Sequence, residues 1–169
     1  MLDRRIDAPA ANAAIAQLLL LDADDTDAEI RVIVNANGGD IGAGLALHDV
    51  LRRSRAPIAT LCVGEARGVA VLVLAGGTHR RRAMTGSARV RLELGDAERS
   101  GSFRDVEAWA KELDELALRF ARALAADCGR HVEEVEHDLH RGRALDAAEA
   151  VAYGIVDAVL QDSTKRSSA

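Results

Sequence analysis

Strand-to-helix transitions, repeated at short intervals, narrow the possible folds more than any other feature of this chain. Ile30 to Val34 is a β-branched run that ends in Asn35-Ala36-Asn37-Gly38-Gly39, a strand followed by a glycine turn. Helical spacing then runs from Ile41 to Arg53. Pro57 starts a second strand, Ile58 to Val63, which Gly64 closes, and Val69 to Gly77 is apolar enough for a buried helix. A third strand, Ala88 to Leu94, follows the basic patch His79 to Arg82. This alternation predicts an α/β domain with a mostly parallel sheet flanked by helices.

Flanking segments fit one such domain. Residues 9–21 read as a helix with Ala14, Ile15, Leu18, Leu19 and Leu21 at helical spacing, and the acidic stretch Asp22 to Glu29 reads as a solvated turn. A long helix is expected from about Phe103 to Asp127. Ser102 and Asp105 form a capping-box-like S-x-x-D at its start, and Gly129 stops it. Its apolar stripe is Val106, Trp109, Leu113, Leu116, Phe120 and Leu124. At about 37 Å it exceeds what a small core needs, so it projects or meets another subunit. Shorter helices, about Val132–His140 and Ala147–Ala152, and a final strand Val156–Leu160 complete the domain over residues 1–161. The polar tail 162–169 is expected to be disordered.

The 169 residues suit a single domain. Apolar residues make up 49% and aromatic ones 2%, with 33 Ala, so the core is built from small aliphatic side chains. A net charge of -5 argues against nucleic acid or an anionic membrane as partner. No apolar stretch approaches the ~20 residues of a bilayer span, and the N-terminus lacks a signal-peptide apolar region. Cys62 and Cys128 make no metal-ligand or redox spacing, which points to a reduced, cytoplasmic chain with two buried thiols and no metal or other cofactor.

Four stretches give the chain a resemblance to a known family. They are Ile15-Ala16-Gln17-Leu18-Leu19; Asn35-Ala36-Asn37-Gly38-Gly39 with Ala43-Gly44-Leu45; Cys62-Val63-Gly64-Glu65-Ala66 through Leu74-Ala75-Gly76; and Ala147-Ala148-Glu149-Ala150 with Tyr153-Gly154-Ile155-Val156-Asp157. Together they resemble the proteolytic subunit of the Clp protease (ClpP), a serine peptidase of the crotonase-like fold. The match runs without a gap from about Ile6 to Leu160. It implies a ClpP-like α/β fold in which the long helix is the projecting handle that stacks two heptameric rings.

Departures from the family matter as much as the match. Counting along it, the nucleophilic Ser position is Gly68, the general-base His position is Glu93, and the orienting Asp position is Gly142. A serine hydroxyl needs a base, and the base needs an acceptor, so a chain without all three is expected to be a pseudo-peptidase. The backbone N–H groups of the family's oxyanion hole fall on Gly39 and Val69, a remnant that the Gly38-Gly39 turn geometry would preserve in any case. Arg67 or Arg143 is expected to pair with Glu93 and fill the vacated cleft. His137 and His140, with Glu134 or Asp138, form a weak metal pattern that reads better as an exposed polar helix face.

The resemblance also bears on partners. It implies an axial β-hairpin before the first helix, for which Met1 to Arg5 is too short, so the N-terminal axial region is expected to be truncated. Arg31, Ile33 and Arg53 fall where the family's unfoldase-docking cleft is apolar, and arginine there argues against a Clp ATPase. Near the handle, Gly95 and Gly101 bracket the charged stretch Asp96 to Arg99, which argues against ring stacking. The expected role is therefore structural or regulatory, in a Clp-type ring of this chain alone or with active paralogues. Two alternatives stay open: a small crotonase-like acyl-CoA-binding protein or enzyme using Glu93 with the Gly39/Val69 oxyanion hole, and a drifting paralogue without selected function.

Overall fold

The computed structural model describes residues 1–95 and 103–160, with backbone alone at 103–106 and 108. In chain order its elements are α1 (Ala8–Asp24), β1 (Ile30–Ala36), α2 (Ile41–Arg53), β2 (Ile58–Arg67), α3 (Val69–Ala75), β3 (Arg82–Thr85), β4 (Arg89–Arg91), α4 (Phe103–Cys128), α5 (Val132–Arg141), β5 (Ala144–Leu145), α6 (Ala147–Tyr153) and β6 (Ala158–Leu160). The strand–helix alternation gives the expected mixed α/β fold. Its sheet is parallel except for the β4–β5 pair.

β2 organises the sheet. β1 runs along one of its edges, from Ile30 opposite Ile58 to Val34 opposite Cys62. β3 and β4 share its other edge, β3 beside Thr60 to Cys62 and β4 beside Glu65 to Arg67. The third strand expected at Ala88–Leu94 is β4, only Arg89–Arg91, and the sequence reading missed β3 before it. β3 lies partly inside the basic patch because Arg82 is a buried strand residue whose charge is met by Asp157. Arg82 Nη2 donates to Asp157 Oδ1 at 2.7 Å, and the Arg82 side chain is only 5% exposed. Burial opposes the charge on both groups, yet this pairing raises the Arg82 pKa and lowers that of Asp157.

Gly64 does not close β2, which continues to Arg67. The register passes from Val34–Cys62 to Ala36–Ala66, so the intervening residues of β2 form a bulge. Gly64 supplies φ 76 there, and Asn35 Oδ1 accepts the Glu65 N–H at 3.2 Å. A glycine at positive φ inside the strand bends the ladder without ending it.

α1 extends past the expected boundary into the acidic stretch. Asp22 is no solvated turn residue. Its carboxylate accepts from the Ser54 hydroxyl and from the Arg55 and Ala56 N–H groups at 2.7–2.8 Å. Those donors, the Ala56 N–H foremost, bring its pKa down to about 2. β6 is two residues shorter than expected, because Val156 and Asp157 serve the turn from α6.

All seven residues of α3 are buried, which explains why that segment shows no amphipathic stripe. It packs against α2, α4 and β2. Along α4, Phe120, Ala121, Leu124 and Ala125 are buried, while Trp109, Leu113 and Leu116 are half-covered, the gradient of a helix that leaves its own core. Val106, the Ser102–Asp105 cap and Asp96 to Arg99 lie outside the described residues or side chains, as does the tail 162–169.

Candidate functional site

The junction from β2 to α3 carries an unusual backbone. Gly68 has φ 49 and ψ -123 and is the N-cap of α3. Its N–H donates to Arg91 O at 3.0 Å, which ties the junction to β4. This sharp strand-to-helix elbow presents whatever residue occupies it at the end of the sheet. A Cβ built on Gly68 would stand 3.2 Å from Glu93 O and 3.9 Å from Glu93 Cγ. The fold therefore sets positions 68 and 93 side by side, although 68 offers no functional group.

Glu93 is not empty-handed. Arg67 Nε donates to Glu93 Oε1 and Arg67 Nη2 to Glu93 Oε2, both at 3.0 Å. The planar guanidinium meets the carboxylate fork to fork, the strongest geometry open to such a pair. Its side chains are 34% and 21% exposed, so water reaches the pair but does not surround it. Arg67 Nε also stands 3.7 Å from Glu65 Oε1.

Gly142 ends α5 in the left-handed region, φ 65. With Arg67, Glu93 and His140 it lines an open pocket of about 470 Å³. Arg143, the other candidate partner for Glu93, goes elsewhere. Its Nη1 donates to Asp138 Oδ2 at 2.9 Å, and the Tyr153 hydroxyl donates to the same oxygen at 3.0 Å. The Tyr153 ring carries the Arg130 guanidinium 4.1 Å from its centroid and that of Arg143 at 5.4 Å. Burial and the bond to Asp138 raise the phenol pKa well above its usual value.

Gly39 and Val69 both line a smaller pocket of about 160 Å³, which shares Arg67, Glu93, Leu94 and Gly95 with the larger one. Ile6 donates to Gly38 O and accepts from the Asp40 N–H, both at 2.9 Å, which leaves the Gly39 N–H on the other side of the chain. Among the described residues no backbone acceptor takes the Gly39 or Val69 N–H. Gly39, Gly68 and Val69 thus line one small pocket at the elbow.

The family model for the Clp protease matches residues 1–163. The chain belongs to the Clp protease family. Among curated proteins it is similar to the ATP-dependent Clp protease proteolytic subunit 1 of Nocardia farcinica, 39% identical over 155 residues, which cover 92% of this chain and 79% of that protein. The curled, mostly parallel sheet with its flanking helices is consistent with the ClpP/crotonase-like fold of the family.

The other residues weighed for chemistry are engaged elsewhere. Glu134 pairs with Arg130, and His137 contacts Arg141 at 3.4 Å. Asp138 is taken by Arg143 and Tyr153, so the metal pattern on α5 does not assemble; among the described residues no group of three or more His, Cys, Asp or Glu could hold a metal. The Cys62 thiol is buried and pushed up to about 11, chiefly by burial, and is no nucleophile at neutral pH. Cys128 is half-covered and not fully buried. Arg31 and Arg53 lie exposed beside Glu29 and Asp49, and Ile33 is half-covered. No helix among the described residues is long and apolar enough to cross a membrane.

Two polar pairs escaped the sequence reading. Arg82–Asp157 joins β3 to the turn before β6. His48 Nε2 lies 2.7 Å from Asp127 Oδ2, linking α2 to α4 with both side chains under 10% exposed. Nothing local announces either partner, since 75 and 79 residues separate them in the chain.

Proposed function

We propose that this member of the Clp protease family does not hydrolyse peptides and serves as a structural or regulatory subunit of a Clp-type ring, alone or beside active paralogues. The observation that carries the reading is Gly68 at the elbow. The residue presented there has no side-chain atom, and the neighbouring carboxylate at Glu93 is held by Arg67. A glutamate locked to an arginine beside a glycine has nothing to deprotonate, and its negative charge opposes an oxyanion formed between Gly39 and Val69. Gly142 supplies no acceptor to orient a base.

Assembly is supported by what the chain leaves uncovered. Leu19, Leu20 and Leu21 on α1 are 57%, 70% and 49% exposed, and Trp109 and Leu113 on α4 are half-covered. Uncovered large apolar side chains of this kind suit subunit contacts. Direct docking of a Clp ATPase on this chain is disfavoured, because Arg31 and Arg53 extend into solvent where an apolar anchor is needed.

Two measurements on the purified chain test the proposal. Fluorogenic peptide hydrolysis should stay at the rate of the buffer blank, and native mass spectrometry should show a seven- or fourteen-subunit species, or incorporation into rings of an added active paralogue. Peptide turnover blocked by a serine-directed fluorophosphonate would overturn the first half. A strictly monomeric chain that enters no paralogue ring would overturn the second.

A further inference from the structure

The contact between His48 and Asp127 stands at the rooted end of α4, where that helix packs on α2 and α3. The imidazole is 8% and the carboxylate 4% exposed, with Nε2 2.7 Å from Oδ2. Arg52 Nε stands 3.7 Å from the other carboxylate oxygen. An ionised carboxylate can only accept, so the proton of the contact belongs to His48 Nε2. Nδ1, on the other side of the ring, is buried and has no hydrogen-bond partner among the described residues. The ring has little room to turn towards one, because it packs on Gly76, where an added Cβ would stand 2.8 Å from His48 Cδ2.

We propose that His48 and Asp127 form an acid-sensitive clasp between α2 and α4, shut while the imidazole is neutral and loosened when Nδ1 takes a proton. The neutral ring has one N–H, and Asp127 accepts it. A second proton creates a buried N–H without an acceptor, on a cation whose counter-charge is already shared with Arg52. The groups around the contact do not relieve it. From β3, Arg82 Nη1 donates to Asp127 O at 3.0 Å and brings further positive charge, matched by Asp157. On α2 itself Asp49 is exposed beside Arg53, and on α1 Asp22 is held by Ser54, Arg55 and Ala56. α3 offers only apolar side chains. The neighbouring Cys128 thiol is pushed up to about 12, chiefly by burial, and carries no charge to offset an imidazolium. An unfolded chain takes the same proton freely in water. The clasp is therefore whole above the ordinary histidine range and lost as pH falls through it.

The test compares the intact chain with H48Q, whose side-chain amide reproduces the Nε2 donor and does not titrate. Amide hydrogen exchange is followed from pH 7.5 to 5.5 and corrected for its intrinsic pH dependence. In the parent chain, protection at residues 123–127 of α4 should fall about fivefold over that range, with β2 amides little changed. In H48Q the same amides should keep their protection. His79, 3.3 Å from Asp157, titrates alike in both chains and drops out of the comparison. Equal losses in parent and variant would overturn the proposal. So would a parent chain that gains protection in acid, the mark of an ion pair that tightens. Nitrogen NMR of the histidine-labelled parent tests the same point without a variant: His48 should carry hydrogen on Nε2 alone at pH 7.5, and a doubly protonated ring there would overturn the clasp.

Discussion

Arg67 and Glu93 grip one another through two parallel hydrogen bonds of 3.0 Å each, in front of a glycine elbow. They come from the end of β2 and the residues after β4, neighbours in the sheet through the Arg67–Arg91 pairing. A half-exposed bidentate pair of this kind couples by about 1 kcal/mol. A double-mutant cycle of Arg67→Met and Glu93→Gln in urea unfolding should recover that coupling, and additive single effects would show the pair to be incidental.

Restoring one residue should not restore chemistry. Gly68→Ser is expected to leave peptide hydrolysis at blank level, because Glu93 and Gly142 supply neither base nor orienting acceptor. The triple change G68S, E93H, G142D has room at position 142, where an added Cβ meets nothing within 4 Å. Fluorophosphonate labelling should appear in the triple variant and be absent from the G68S single variant. Labelling of both alike would mean that the missing base is not what silences the site.

Gly39→Ala should damage the N-terminal segment selectively. The added Cβ would fall 2.2 Å from Ile6 O, which accepts the Asp40 N–H. Amide exchange at Ile6 and Asp40 is expected to speed up by at least about tenfold, with β2 amides little changed, since local opening relieves the clash without global unfolding. Uniform acceleration across the sheet would contradict this.

Asp22 sets an acid limb. Its folded carboxyl titrates at about 2 against an ordinary 3.8, so its stabilisation is complete above about pH 4 and disappears as pH falls through 2. Asp22→Asn should therefore melt below the parent at pH 6, and the gap should shrink by pH 2.5. A gap independent of pH would remove the carboxylate from the explanation.

Removing one partner of the buried pair should cost more than any surface change. Asp157→Ala strands the Arg82 guanidinium, whose side chain is 5% exposed, and is expected to lower stability by about 3 kcal/mol. Arg82→Met, which removes the buried charge and keeps a comparable stem, should cost less. Equal losses in chemical denaturation would show that the bonds of Arg82 to Ala75 O and Asp127 O matter as much as Asp157.

How much of this was legible beforehand depends on the range of the interaction. The limits of α2, α4, α5 and α6 lie within about two residues of expectation, because helical period and the glycines that follow α4, α5 and α6 are written within a few residues. Gly64 and Arg82 misled because each has a meaning only its distant partner reveals: Asn35 makes the glycine a bulge, and Asp157 makes the arginine a core residue. At the site, the elbow, the approach of Gly39 and Val69 to one pocket and the neighbourhood of positions 68 and 93 could be anticipated only through the resemblance. Local pattern alone says nothing about which strand ends lie side by side.

The glycine elbow has one more consequence, for the direction in which such a chain can change. An L-residue at φ 49, ψ -123 is strained by about 1–3 kcal/mol, whereas glycine adopts the same angles freely. Any side chain placed at 68 takes on that strain and also crowds Glu93 O. The junction therefore acts as a one-way latch on sequence change: glycine keeps the turn relaxed, and every replacement must first be carried uphill by the rest of the fold.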